Sequence, residues 1–104
     1  MAPEITYNGF QAEGYVLSGA QEPLRVLDSA HRTIFGEGLK PVASTGTTDA
    51  RFFGLYADIP AIVYGPVAEN IHGFDERVDL QSTLKVTQAM ALFVADWCGV
   101  EQAA

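Results

Sequence analysis

The sequence contains one cysteine, few charged side chains and very few basic ones, and each shortage excludes a class of protein. The lone Cys98 excludes an internal disulfide and a Cys-x-x-Cys metal knuckle. Six basic residues against thirteen acidic ones give a net charge of −7. No basic surface can therefore neutralise phosphates, and we expect no nucleic acid partner.

The sequence also lacks the long apolar segments of a membrane protein. No run of about 18 apolar residues occurs, so we expect no membrane partner. The N-terminal residues MAPEITYNGF have neither the basic nor the apolar region of a signal peptide. Together with the single cysteine, this pattern predicts a cytoplasmic protein.

What the chain does contain is the composition of a folded core. Hydrophobic residues make up 48% of its 104 residues and charged residues 18%, which excludes a disordered chain. A domain this small buries a modest fraction of its surface. We therefore expect part of its apolar surface to face a partner or another part of the same polypeptide.

The order of predicted elements indicates an α/β fold. Residues 21–35 and 80–97 have helical patterns, and the second is so apolar that we expect it to be largely covered. A short helix is predicted from Asp49 to Tyr56, with Thr47, Thr48 or Asp49 as caps. Strands are predicted in three segments, which are residues 4–17, 39–44 and the apolar IPAIVY at 59–64. We expect the last of these to be buried on both faces.

Such alternation predicts a mostly parallel sheet flanked by helices. Ligands bind at the carboxyl ends of the strands in sheets of this type. Two loops leave strands at that edge, at residues 44–49 and 65–79, and both are rich in polar residues. We therefore expect the functional site there.

The first loop, STGTTDAR at residues 44–51, has the groups of a carboxylate-binding turn. Gly46 lets the backbone approach a ligand, and the amides of the following helix could bind an anion. Arg51 could add a bidentate contact to a carboxylate. The alternative is an ordinary capped helix with a surface arginine.

The second loop, ENIHGFDER at residues 69–77, contains a candidate metal ligand. A neutral imidazole at His72 would suit zinc, and a neighbouring carboxylate could fix its tautomer. The alternative is a surface histidine in a loop of solvated acids, which include Asp75 and Glu76. We expect His31, beside the apolar face of the first helix, to be a packing residue, and Cys98 to have no catalytic role.

Three segments in this order resemble the acetylornithine deacetylase and succinyl-diaminopimelate desuccinylase family of zinc-dependent amidohydrolases, known as M20. They are TGTTDARFF at 45–53, IPAIVYGP at 59–66 and NIHGFDERV at 70–78. The resemblance implies the C-terminal portion of a three-layer α/β catalytic domain over residues 1–104. Residues 1–18 would return from a lid domain, and residues 19–104 would form the catalytic segment.

The resemblance also implies a set of site residues. His72 matches the last metal ligand of the family, and Glu76 matches a carboxylate that supports the site without binding metal. Gly46, Thr47 and Arg51 match the substrate-binding turn. The full family site holds two zinc ions, which cobalt can replace, and it hydrolyses the amide of an N-acyl amino acid, as in arginine biosynthesis.

Two family motifs are missing from this sequence, which contains no His-x-Asp and no Glu-Glu. Zinc hydrolysis needs several ligands and a base for the water proton. We therefore expect a fragment of an enzyme that is inactive by itself and holds metal weakly or not at all. We also expect a homo-oligomer. The alternative is a stand-alone, non-catalytic module for binding or assembly that is derived from this fold.

Overall fold

A computed structural model describes residues 1–103, in which the main elements are helices. They are α1 (Gln21–Phe35), α2 (Ala50–Tyr56) and α3 (Leu80–Cys98). Helix α1 has the predicted bounds and ends at Gly36, whose φ of 79° is the left-handed conformation that glycine adopts without strain. The Gly36 N–H donates to the carbonyl of Arg32 at 2.9 Å, which closes the last turn.

Helices α1 and α3 pack against each other and form the small core. The buried hydrophobic residues within residues 1–103 are Ala20, Leu27, Ala30 and Ala89. Three of these four are alanines, so little apolar volume is enclosed. The radius of gyration is 17.8 Å, well above the roughly 13 Å of a compact 100-residue domain. The chain thus has a core without the compactness of a closed domain.

A short hairpin precedes α3 and is fixed to its N-terminus. Strands β1 (Ala68–Glu69) and β2 (Arg77–Val78) pair antiparallel. Val67, just before β1, makes two hydrogen bonds to the start of α3. Its carbonyl accepts from the N–H of Asp79 and its N–H donates to Ser82 Oγ, each at 2.9 Å. The Asp79 carboxylate in turn caps α3 by accepting from the Ser82 N–H at 2.5 Å.

The predicted parallel sheet does not form in this chain. None of the segments 4–17, 39–44 and 59–64 is a strand in the part of the chain that the structure describes. A helix satisfies its backbone internally, whereas a strand must find its hydrogen-bond partners on another strand. The fold is therefore a mixture of helices and one short strand pair, consistent with part of an α/β domain.

Two burial predictions were also wrong. Residues 59–64 are exposed or half-buried instead of covered on both faces, with Val63 66% exposed. Helix α3 is largely uncovered, because α1 contacts one side of it and its other apolar side chains meet solvent. Within residues 1–103, no helix has the length and hydropathy needed to cross a membrane.

Candidate metal and substrate-binding loops

The loop that carries His72 is closed by a cross-strand ion pair. Glu69 of β1 and Arg77 of β2 lie opposite each other as the last pair of the ladder. The Arg77 Nε donates to Glu69 Oε2 at 2.7 Å, and a second guanidinium nitrogen contacts the same oxygen. Both side chains are exposed, so we expect the pair to contribute little to stability. Its effect is to hold together the two ends of loop 70–76.

His72 lies in the middle part of this loop with an unusual backbone. Its φ is 64°, and Asn70 and Asp75 also have positive φ values of 53° and 56°. Side chains other than glycine rarely adopt this conformation, and it costs roughly 1–3 kcal/mol for each residue. The Gly73 N–H donates to the Asn70 carbonyl at 2.7 Å, which fixes the turn. The loop thus has a defined bend, and His72 is exposed on it.

The imidazole of His72 has the chemistry of a metal ligand, but no second or third ligand lies with it in the described residues. Within residues 1–103 it makes no side-chain hydrogen bond, and Glu76, four residues later, is exposed as well. No group of three or more His, Cys, Asp or Glu side chains in these residues could hold a metal ion. These residues therefore supply His72 as a single candidate ligand, fewer than the three or more that a zinc site needs.

The loop before α2 is ordered by two hydroxyl groups. Ser44 Oγ accepts from the Gly46 N–H at 3.1 Å, and Thr48 Oγ1 accepts from the Ala50 N–H at 3.2 Å. The Asp49 side chain, one of the proposed caps, makes no capping bond. Asp49 does accept the Phe52 N–H through its carbonyl at 3.1 Å. The first amides of α2 thus already have hydrogen-bond acceptors and are not free to bind an anion. The Arg51 side chain is then the remaining candidate for anion binding in this loop.

Arg51 lies against aromatic rings instead of acids. Its guanidinium carbon is 4.3 Å from the ring centroid of Phe52 and 5.8 Å from that of Phe10. No acidic group pairs with it within residues 1–103, whereas Arg25, Arg32 and Arg77 each have a carboxylate partner. Gly46 and Thr47 are exposed a short distance upstream.

No hydrogen bond or ion pair of the described chain joins residues 44–51 to residues 69–77. The common concavity predicted for His72, Gly46 and Thr47 therefore stays a prediction. Each loop is positioned by its own local contacts, the first by α2 and the second by the hairpin and α3.

The prediction for His31 is confirmed. Its Nδ1 lies 2.8 Å from the hydroxyl of Tyr64, and its ring stacks on Phe35 with centroids 4.2 Å apart. Burial raises the pKa of the Tyr64 hydroxyl. These contacts tie α1 to the segment that leads into the hairpin, and they assign His31 to packing. Cys98 is exposed in the last turn of α3.

One junction near Arg51 was not predicted from the sequence. The Tyr15 hydroxyl accepts from the Ala61 N–H at 3.1 Å and donates to the Ala61 carbonyl at 3.4 Å. The Tyr15 ring lies so close to Gly54 that a Cβ at Gly54 would be 1.9 Å from it. Glycine in the middle of α2 is thus explained by the aromatic ring packed on it. The signal available was a glycine within a predicted helix, which often marks a close approach.

A small helical core with two ordered polar loops, one of which carries the exposed His72, is consistent with part of a larger α/β domain. The sequence profile of Peptidase family M20/M25/M40 matches residues 4–96, and the chain belongs to that family. Over 53 residues the chain is 45% identical to a succinyl-diaminopimelate desuccinylase of Bradyrhizobium diazoefficiens. That match covers 49% of this chain and 13% of the relative, so the chain spans a small part of the length of this curated relative.

Proposed function

We propose that this chain supplies one metal ligand and a substrate-binding turn to a zinc-dependent amidohydrolase. The reaction is hydrolysis of the amide bond of an N-acyl amino acid. The observation that carries the proposal is the exposed His72, on a loop of defined bend, in a chain whose residues 4–96 match the M20/M25/M40 profile. Zinc, or cobalt in its place, would polarise the amide carbonyl and lower the pKa of a bound water.

In this account the residues of the chain have separate tasks. The His72 imidazole binds metal, and Glu76, four residues later, supports the loop without binding metal directly. Arg51 binds a substrate carboxylate, and the small Gly46 with Thr47 lets the substrate approach the backbone. The general base and the remaining ligands lie outside this chain, so the chain by itself has no amidase activity.

The acyl group is proposed to be succinyl. The family resemblance implied an acetylornithine-type substrate and arginine biosynthesis, but the relative with 45% identity is named for succinyl-diaminopimelate. A succinyl group adds a carboxylate to the substrate, which suits the unpaired Arg51. We therefore propose N-succinyl-diaminopimelate before N-acetylornithine as the substrate to test.

A chimaera tests this function. In it, residues 4–96 of this chain, which match the family profile, replace the corresponding portion of the Bradyrhizobium desuccinylase, and hydrolysis of N-succinyl-diaminopimelate is measured with zinc present. We expect activity in the chimaera and a loss of at least about a hundredfold in kcat/KM on His72→Ala, because even groups that only support a metal ligand cost 10–100-fold. His31→Gln is the matched control and should keep activity, since His31 packs away from the loop.

Two results would contradict the proposal. One is a folded, zinc-loaded chimaera without activity, which would favour the stand-alone binding module. The other is turnover by the isolated chain above about 0.1 per second, a hundredfold below a typical enzyme, with zinc or cobalt added.

A further inference from the structure

Arg51 differs from most of the basic side chains in this chain. Four of the six basic residues pair with a carboxylate, whereas Arg51 and Lys85 lie over aromatic rings. The chain has thirteen acidic residues, so acids are abundant. An arginine that has no acidic partner within residues 1–103 retains its donors for a ligand.

The aromatic contacts leave free the Arg51 N–H groups that could bind a carboxylate. A guanidinium over a ring covers its face, while its N–H groups point outward in the plane of the group. Two parallel N–H donors in that plane match the two oxygens of a carboxylate. Within residues 1–103 the Arg51 side chain donates no hydrogen bond to another residue. Phe10 and Phe52 thus cover Arg51 without using its hydrogen-bonding capacity.

Phe10 reaches Arg51 from a distant part of the sequence, and Tyr15 explains how. The Tyr15 ring sits on Gly54, one turn after Arg51 in α2, and its hydroxyl makes both backbone hydrogen bonds to Ala61. These contacts fasten residues 10–15 across α2. Most of that segment is otherwise exposed, so Tyr15 is its main anchor.

We propose that Phe10 and Tyr15 are positioning residues for Arg51: Tyr15 anchors the N-terminal segment on Gly54, and Phe10 holds the Arg51 guanidinium ready for a substrate carboxylate. The proposal rests on the proposed function for the identity of that carboxylate. It assigns the N-terminal segment a task in substrate binding, where the sequence analysis expected only a strand.

Nuclear magnetic resonance on the full 104-residue chain tests the positioning directly. The Arg51 Nε–H signal is followed while succinate is added at constant ionic strength. We expect the signal to shift with succinate, and Phe10→Leu to raise the dissociation constant about two- to fivefold, the effect of losing one exposed cation–π contact. Gly54→Ala should do the same, because its methyl group displaces the Tyr15 ring.

Matched variants separate positioning from general damage. Tyr7→Leu removes another exposed aromatic ring from the same segment and should leave succinate binding unchanged. Phe10→Tyr keeps the ring and should restore wild-type binding. An unshifted Arg51 signal in the wild type would overturn the proposal, and so would equal binding by the wild type, Phe10→Leu and Gly54→Ala.

Kinetics of the chimaera distinguish failure of this proposal from failure of the proposed function. In an active chimaera, Phe10→Leu should raise KM with kcat within about twofold, as expected for lost binding that is equal in ground and transition states. Partial unfolding would instead lower kcat at constant KM. An active chimaera with unchanged KM overturns the positioning role alone. An inactive chimaera contradicts the proposed function, while the succinate titration still decides the positioning role.

Discussion

Helices α1 and α3 pack on each other, but they differ in the surface that they leave exposed. Only α1 has a polar exposed side and an apolar buried side. Its exposed side carries the ion pairs Arg25–Glu22 and Arg32–Asp28, both at 2.6 Å, and its buried side carries Leu27. Helix α3 has two charged residues, Lys85 and Asp96. Its exposed large apolar side chains lie on several sides of the helix, and they are Leu80, Leu84, Met90, Leu92, Val94 and Trp97.

The comparison shows which helix has apolar surface that its neighbour leaves uncovered. A single neighbouring helix is enough to cover the apolar side of α1, because the polar and apolar residues of α1 lie on opposite sides. Helix α3 is apolar on more sides than α1 can cover, and a helix of that kind is normally buried all round. Segment 59–64 pairs with no other strand in the described chain, and its backbone bonds are those of Ile59 to Phe53 and of Ala61 to Tyr15. We therefore expect a neighbour to cover both elements.

The largest expected effect is on the state of association. The exposed apolar side chains of α3 and segment 59–64, which pairs with no other strand, should make the isolated chain self-associate at micromolar concentration. Sedimentation velocity should show dimers or larger species, and Leu92→Lys with Val94→Lys should increase the monomer. Thr33→Lys on the exposed side of α1 is the control and should not. If the wild type stayed monomeric at all concentrations, the proposed difference between the exposed surfaces of α1 and α3 would be contradicted.

Leu27→Ala should have the next largest effect, on stability. Leu27 is 2% exposed in the α1–α3 core, so its truncation should lower the free energy of unfolding by about 2–5 kcal/mol. Leu80→Ala, at a position 76% exposed, should change it by less than about 0.5 kcal/mol. Urea unfolding followed by circular dichroism measures both. Equal losses would show that the core is not where the structure puts it.

Asp79→Ala should have a smaller effect on α3. It removes the acceptor for the Ser82 N–H and should cost about 0.5–2 kcal/mol. Asp96→Ala, which removes an acid from the last turn, should be neutral or slightly stabilising, because acids there oppose the helix dipole. Thermal unfolding of the two variants compares the helix ends. A stability loss on Asp96→Ala equal to that on Asp79→Ala would contradict the capping role.

The smallest expected effect is a pH dependence on the α1 side. The pKa of Asp28 is lowered by the hydrogen bond from Arg32, and further by the backbone N–H of Leu39, which donates at 2.7 Å. The folded pKa is below the unfolded value of about 3.9, so this stabilisation is present above that pH and is lost as pH falls through the folded pKa. Asp28→Asn should flatten the stability profile below about pH 4.

Glu4→Gln is the control for that experiment, because Glu4 lies in the exposed N-terminal segment and accepts no hydrogen bond within residues 1–103. Urea titrations at several pH values provide the profile. The Asp28 account would be wrong if wild type and Asp28→Asn lost stability in parallel as the solution was acidified.

The helices were predictable from the sequence because their contacts are local. The predicted bounds of α1 agree with the structure, α2 begins one residue later than predicted, and α3 extends one residue further, to Cys98. The predicted strands failed because strand formation depends on partners that hydrophobic patterning cannot supply. The loop residues were recognised by resemblance, and their joint geometry is not tested by this chain.

The remaining contacts lacked a pattern because they join distant residues. Tyr15 meets Ala61 across 46 positions in the sequence. The left-handed backbone at His72 has only a weak signal in the sequence, since histidine adopts positive φ more often than most residues but still uncommonly. Asn70 and Asp75, which share that conformation, belong to the residue types that tolerate it.

The central claim is that His72 binds metal in an assembled site. Zinc content of the chimaera, measured by mass spectrometry after dialysis, tests it most directly, with His72→Ala compared to wild type and to His31→Gln. The account predicts that His72→Ala lowers the zinc content by about one ion per polypeptide, while His31→Gln retains the wild-type content. Equal zinc in all three proteins would contradict the claim.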